Sequence, residues 1–232
     1  MFHLRRFRWK RRRAALALLP AAAMMVTLGL AGAATGTGPA PALGGPGTYA
    51  AAGGGPASVK FGVRRHVMVG DLVVIHGRVR TADSRLVLVK VDGRKVKTVR
   101  SEEDGSFRVR WRASHTGVFE AKAIAGGNEV ARTARSRGTR VNVYRPAGAS
   151  YYGPGLYGNG TACGKTLTPS TVGVANRTLP CGARVTLRYN GRTVTVPVID
   201  RGPFSGNREY DLTAASKAKL GFGSTGTVLT TR

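Results

Sequence analysis

Between Pro146 and Arg232 the chain carries three acidic side chains, Asp200, Glu209 and Asp211, and they lie close together. Arginines stand around them in sequence, at Arg177, Arg184, Arg188, Arg192, Arg201 and Arg208. A carboxyl group set among cations and apolar strand residues suits general acid/base chemistry, because its surroundings can shift its pKa and ready it to give or take a proton. Asp200 is the leading candidate. It follows Val194-Thr195-Val196-Pro197-Val198-Ile199, a run of strand formers, and precedes Gly202-Pro203, which turns the chain. That order puts its carboxylate at a strand end, facing a groove. The simpler alternative is that Asp200 caps the Gly-Pro turn and pairs with Arg201 or Arg208.

Other chemistry is constrained by what is absent from this region. His3, His66, His76 and His115 all precede it, and two sulfurs alone do not make a zinc cage, so neither a metal nor a cofactor is expected. Cys163 and Cys181 suit a single disulfide in an oxidising compartment, worth about 3 kcal/mol, with two buried thiols as the alternative. The glycine-rich stretch Gly158 to Gly164 lacks the Gly-x-Gly-x-x-Gly spacing and the Lys-Ser/Thr helix start of a phosphate-binding loop.

An all-β frame is expected to position these groups. Val185, Leu187 and Tyr189 alternate with Arg184, Thr186 and Arg188. Val194, Val196 and Val198 alternate with Thr193 and Thr195, and Asn190-Gly191 between the two runs is a type I′ hairpin signal. Thr213 can cap a short helix, Ala214 to Leu220, that Gly221 ends, and Thr225 to Thr230 closes the chain as a strand. Many short strands and one helix in residues 146–232 indicate a small barrel. Before it, residues 57–145 carry short β-prone runs separated by Gly70-Asp71, Asp92-Gly93, Asp104-Gly105 and Gly126-Gly127, the pattern of an Ig-like β-sandwich. Phe107, Val109 and Trp111 alternate with Arg108 and Arg110, which puts one face in a core and leaves the other cationic, a surface for anionic wall polymer or, more commonly, simply a solvated charged face. Arg145-Pro146-Ala147-Gly148 reads as a hinge between the two.

The N-terminus supplies an address. Seven cations between Arg5 and Arg13 precede an apolar run from Ala14 to Ala33, and Ala31-Gly32-Ala33 offers small residues for cleavage, so residues 1–34 read as an export signal. An uncleaved anchor is the alternative, since the run is nearly as long as a membrane span. Residues 35–56, rich in Gly, Ala and Pro, read as a disordered linker. No later segment is apolar enough to cross a bilayer. The formal net charge of +26 attracts polyanions without naming them, but an exported chain does not meet cytosolic nucleic acid. The protein is therefore expected in the cell envelope or outside the cell.

One set of motifs narrows the reading further. Ala149-Ser150-Tyr151-Tyr152-Gly153, Gly160-Thr161-Ala162-Cys163-Gly164, Val174-Ala175-Asn176-Arg177-Thr178-Leu179-Pro180, Val198 to Phe204 and Tyr210-Asp211-Leu212-Thr213 occur in the order seen in RlpA-like proteins. From about Ala149 onward the chain resembles this family of double-psi β-barrels, which is related in fold to expansins, barwin-like proteins and family 45 endoglucanases. The resemblance implies a six-stranded barrel whose open groove holds a glycan strand. It implies that Asp200 is the required aspartate of the Asp-Arg-Gly-Pro motif, and that Asp211 stands where the expansins and family 45 enzymes carry an aspartate, a general acid in the latter. The chain departs from the family pattern where Lys165 replaces a usual Glu and Asn176 a usual His, and in its cysteine pair.

The activity implied is lytic cleavage of peptidoglycan glycan strands. In that reaction the C6 hydroxyl of muramic acid attacks its own anomeric carbon, so one acid/base group can suffice. Tyr151, Tyr152 and Tyr157 would then offer flat faces to sugar rings, while Lys165, Asn176, Arg177 and Arg201 would bond hydroxyl, acetamido or carboxylate groups. Core packing is the alternative for the tyrosines. A non-catalytic, expansin-like wall-binding module would use the same groove, and an inhibitor on the barwin-like scaffold is a third reading.

Overall fold

The computed structural model describes residues 57–80, 84–128 and 131–232; the expected export signal and linker lie outside them. The first half contains β1 (Val59–Val63), β2 (His66–Met68), β3 (Leu72–Val79), β4 (Leu86–Val91), β5 (Arg94–Arg100), β6 (Ser106–Arg112), β7 (Gly117–Ala125) and β8 (Ala134–Arg135). Then come β9 (Thr139–Tyr152), β10 (Val174–Ala175), β11 (Arg184–Tyr189), β12 (Arg192–Asp200), β13 (Tyr210–Thr213), α1 (Ala214–Leu220) and β14 (Thr225–Thr230).

In the first half the sheet β1-β3-β6 and the strands β9-β7-β4-β5 of a larger sheet share one core. Period-two alternation builds it: Val73, Ile75 and Val79 from β3, Val87 and Val89 from β4, and Phe107 and Val109 from β6 are all buried. Trp111 ends the β6 run only partly buried and meets Phe119 edge-on.

The residues expected to form a hinge lie instead inside β9. Its first part pairs with β7 and β2, and from Arg145 to Ser150 it pairs with β14, Pro146 lying opposite Leu229 and Gly148 opposite Thr227. Pro and Gly are read locally as breakers, but a partner strand from the far end of the chain supplies the ladder.

The second half is a closed ring of six strands and one helix, the small barrel that its pattern indicates with the strand number that the resemblance implies. The order β9-β14-β11-β12-β10-β13 returns to β9, with β10/β12 and β13/β9 parallel and the other pairs antiparallel. Val174, Val185, Leu187, Val196, Val198, Tyr210 and Leu212 fill its interior. Asn190, at φ 42, leads the hairpin turn between β11 and β12. Thr213 caps α1 through its side chain, which accepts from Ser216 N, and left-handed Gly221 ends the helix. No described helix is long and apolar enough to cross a membrane.

Candidate active site

The site is organised by the shortest strand. In β10, Ala175 is register partner both to Asp200 at the end of β12 and to Asp211 in β13, and Asp211 is partner to Ser150 in β9. Register partners point to the same face of a sheet and adjacent strands lie about 4.8 Å apart. A register shift between Val174 and Ala175 brings Asp200 opposite Ala175, and both carboxylates border the same groove as its methyl group, with Ser150 beside Asp211 in β9.

A strand of two residues cannot hold itself in place. Gly173, just before it, is fixed by a buried network: its N–H is bonded by Ser216 Oγ at 2.9 Å, and its carbonyl accepts from Ser216 Oγ at 2.8 Å and Thr213 Oγ1 at 3.2 Å. A Cβ at position 173 would lie 2.5 Å from Ile199, so only glycine lets β10 come this close to β12. The helix cap thus also sets the spacing of the acids.

Asp200 Oδ1 accepts two backbone N–H groups, from Ala162 at 2.9 Å and Arg201 at 2.8 Å. The first comes from a loop stapled beneath it. Cys163 is bridged to Cys181, Cys163 N donates to Ile199 O at 3.2 Å, and Thr161 N to Lys165 O at 2.6 Å. Orienting one oxygen in this way fixes the carboxylate on the groove wall, beside the Tyr152 phenol.

The cations around the site are spent elsewhere. Arg201 Nη1 donates to the carbonyls of Leu179 at 3.1 Å and Asn176 at 3.3 Å, while its Nη2 lies 3.3 Å from Cys181 Sγ. Glu209, the third acid, is held by Arg145 at 2.6 and 2.7 Å, which keeps its carboxyl below the usual range. Among the described residues no ion pair includes Asp200 or Asp211. Burial pushes the Asp211 carboxyl above its ordinary pKa and the charge of Asp200 adds to this, while Ser150 and Arg208 act in the opposite direction. Burial, together with the charges of Asp200 and Asp211, raises the Tyr152 phenol as well. Tyr152 OH and Asp211 Oδ1 are buried and close no hydrogen bond of good geometry, although the phenol stands close enough to Asp200, and the Asp211 carboxyl to Ser150, to interact. Two buried polar atoms with imperfect partners on one groove mark where a ligand would improve the hydrogen bonding.

The groove has a volume of about 330 Å³. Asp200, Asp211, Tyr152 and Ala175 lie along it, with Asn159, Thr161, Leu156 and Phe204 among its walls, and Phe204 is 80% exposed.

Residues 148–230 match the sequence model of the family described as "Lytic transglycolase". A probable endolytic peptidoglycan transglycosylase RlpA from Synechocystis sp. is 39% identical over 118 residues, which is 45% of this chain and 37% of that protein. The endolytic peptidoglycan transglycosylase RlpA of Pseudomonas aeruginosa is 45% identical over 90 residues, 38% of this chain and 26% of its own length. Residues 148–230 form an RlpA-like double-psi β-barrel. The chain thus spans well under two thirds of these relatives. Among solved structures, the Streptomyces papain inhibitor is 30% identical with a TM-score of 0.30, covering 38% of this chain and 94% of its own.

The RlpA-like barrel brings together Asp200, Asp211 and Tyr152, and Arg201 borders the same groove. Tyr151 leans on the core and carries Lys217 Nζ 4.3 Å above its ring. Tyr157 is partly exposed with its hydroxyl near Gly153. Lys165 is exposed outside the groove lining. Asn176 is buried; its Nδ2 donates to Glu209 O at 2.9 Å and its Oδ1 accepts from Leu179 N at 2.8 Å and Thr178 N at 3.0 Å. Arg177 is exposed and reaches Arg208 O at 3.2 Å. Ala175, Leu156 and Phe204 were not singled out by sequence reasoning. For Phe204 a signal existed, a large apolar residue directly after a Gly-Pro turn, where burial is difficult.

Proposed function

We propose that the protein is an exported lytic transglycosylase that cleaves peptidoglycan glycan strands in the RlpA-like barrel. The observation that carries this reading is the pairing of Asp200 and Asp211 across Ala175 in an open groove, with neither acid neutralised by an ion pair. The relatives' printed names give the substrate class, and a peptidoglycan substrate places the site outside the cytoplasm.

In the proposed reaction the muramic C6 hydroxyl attacks C1 of its own ring. The O6–C1 bond forms, the C1–O4 bond to the next sugar breaks, and a 1,6-anhydro end results. The hydroxyl proton passes to a carboxylate and the leaving O4 takes a proton. Asp200, oriented by two N–H groups, is the acid/base group. Asp211, whose proton is favoured by burial, supports it as proton donor.

A wall-binding module without catalysis is favoured by one observation, Lys165 and Asn176 at positions where the family usually carries Glu and His. Neither side chain lines the groove, so their replacement does not empty it. Intact and peptide-stripped glycan strands, incubated with the protein and analysed by mass spectrometry, separate the readings. Anhydromuropeptides released by the wild type and lost in Asp200→Asn support cleavage. Absence of release, with salt-sensitive pelleting on sacculi, supports the binder.

A further inference from the structure

The sheet β1-β3-β6 turns one face to the core and leaves the other uncovered by the described residues, and the register lays out what that outer face carries. Arg108, Arg110 and Arg112 occupy alternate positions of β6 and are all exposed. Beside them on β3, in register, stand His76, Val74 and Leu72, and Arg78 stands next to Lys60 of β1. Leu72 is 52% exposed and Val74 40%. The His76 ring lies over Gly62, so the middle of the face is flat.

Its charges are largely unbalanced. Asp104 pairs with Arg78 at one corner, and Arg112 Nη1 donates to Gly70 O at 3.0 Å. Arg108 and Arg110 have no hydrogen-bond or ion-pair partner among the described residues. Like charges aligned on a sheet repel, and no acid lies in the β1-β3-β6 rows to relieve them. Alternate residues of a strand are about 6.8 Å apart, so β6 presents a ladder of guanidinium groups beside an apolar strip one strand wide.

We propose that this face binds a linear polyol phosphate, a phosphodiester polymer with one negative charge per repeat. Guanidinium groups pair with phosphate oxygens through their fixed N–H fork. The apolar strip formed by Leu72 and Val74 receives the carbon skeleton between phosphates. A single extended chain fits a ladder one strand wide, whereas duplex nucleic acid carries a charge every ≈ 1.7 Å along its axis. The surface lies on a different sheet from the groove and its role does not depend on cleavage there.

The test uses the full chain, with purified poly(glycerol phosphate) as probe, over a range of salt concentrations. The variants are Arg108→Glu/Arg110→Glu/Arg112→Glu, its Gln counterpart, and a control carrying Arg94→Glu/Lys95→Glu/Lys97→Glu on β5. Circular dichroism identifies any variant that fails to fold, in which case the Gln counterpart decides. Reversal on β6 is expected to weaken binding at low salt by at least about tenfold. It should also lower the slope of log K against log salt by about 2, near 0.7 per lost phosphate contact. Equal weakening by the β5 control overturns the proposal, since the protein's overall charge is then responsible. Tighter binding to phosphatidylglycerol vesicles or to a single-stranded oligonucleotide, lost in the β6 variants, overturns the assigned ligand. Asp200→Asn should leave binding of this polymer unchanged.

Discussion

The sandwich and the barrel use charge in opposite ways. In the sandwich, cations stand on outward positions of regular strands, exposed and spread over a face, while the alternate positions fill an apolar core. In the barrel, charge of the rarer sign is concentrated: two carboxylates share one row of a six-stranded ring, and the nearby guanidinium groups are held by carbonyls and by Glu209. A distributed field attracts a polymer over a long range and tolerates the loss of one side chain. A concentrated pair acts on one bond and does not.

That contrast is broken most directly at Asp200. Asp200→Asn should reduce anhydromuropeptide release by about 10²–10⁴-fold, the usual scale of acid/base assistance, whereas the triple reversal on β6 should leave release from soluble glycan strands unchanged. A similar loss of release in both would mean that the faces work as one surface.

Core truncation sharpens the comparison. Ile75 of the sandwich and Leu212 of the barrel are both fully buried. Each change to Ala should cost about 2–5 kcal/mol in denaturant unfolding, with the cavity term adding to the lost transfer energy. Only Leu212→Ala should also slow release, because Leu212 follows Asp211 in β13. The bridge gives a third step. Replacing Cys163 and Cys181 by Ser should cost about 3 kcal/mol, as expected for the loop they close. It should also slow release, since the bridged loop presents the Ala162 N–H to Asp200.

Much of this was legible from local pattern. The hairpin at Asn190-Gly191, the Thr213 cap, the strand that delivers Asp200 and a small barrel follow from period-two alternation and turn chemistry, and the ordered motifs named the barrel family and with it the six strands. What local pattern hides is long-range pairing. Pro146 and Gly148 read as a hinge because their partners, Leu229 and Thr227, lie far along the chain. β10 is too short to show a period, so Ala175 gave no sign that it separates two acids. Asn176 reads as a ligand-binding amide, yet its Oδ1 closes a local turn over Thr178 and Leu179 and its Nδ2 donates to Glu209 O, a partner brought near only by folding.

The smallest effects have opposite signs and follow pH. The folded-state pKa of Asp211 is raised, chiefly by burial, so its stabilising contribution is full below its ordinary 3.8 and is lost as pH rises through the raised value. Asp211→Asn should therefore raise the melting temperature at neutral pH, and the gain should vanish toward pH 3. Glu209 is the reverse case. Arg145 lowers its pKa, so its contribution is present above the ordinary 4.5 and is lost as pH falls through the lowered value. With its side chain 37% exposed, Glu209→Gln should cost roughly 0.2–1 kcal/mol at neutral pH and nothing in strong acid. Added salt should shrink the Glu209 effect more than the Asp211 effect, because an exposed pair is screened and desolvation is not. If both substitutions shifted the melting temperature in the same direction at neutral pH, Asp211 would be ion-paired in solution as Glu209 is, and the barrel's acids would not divide into a structural and a reactive class.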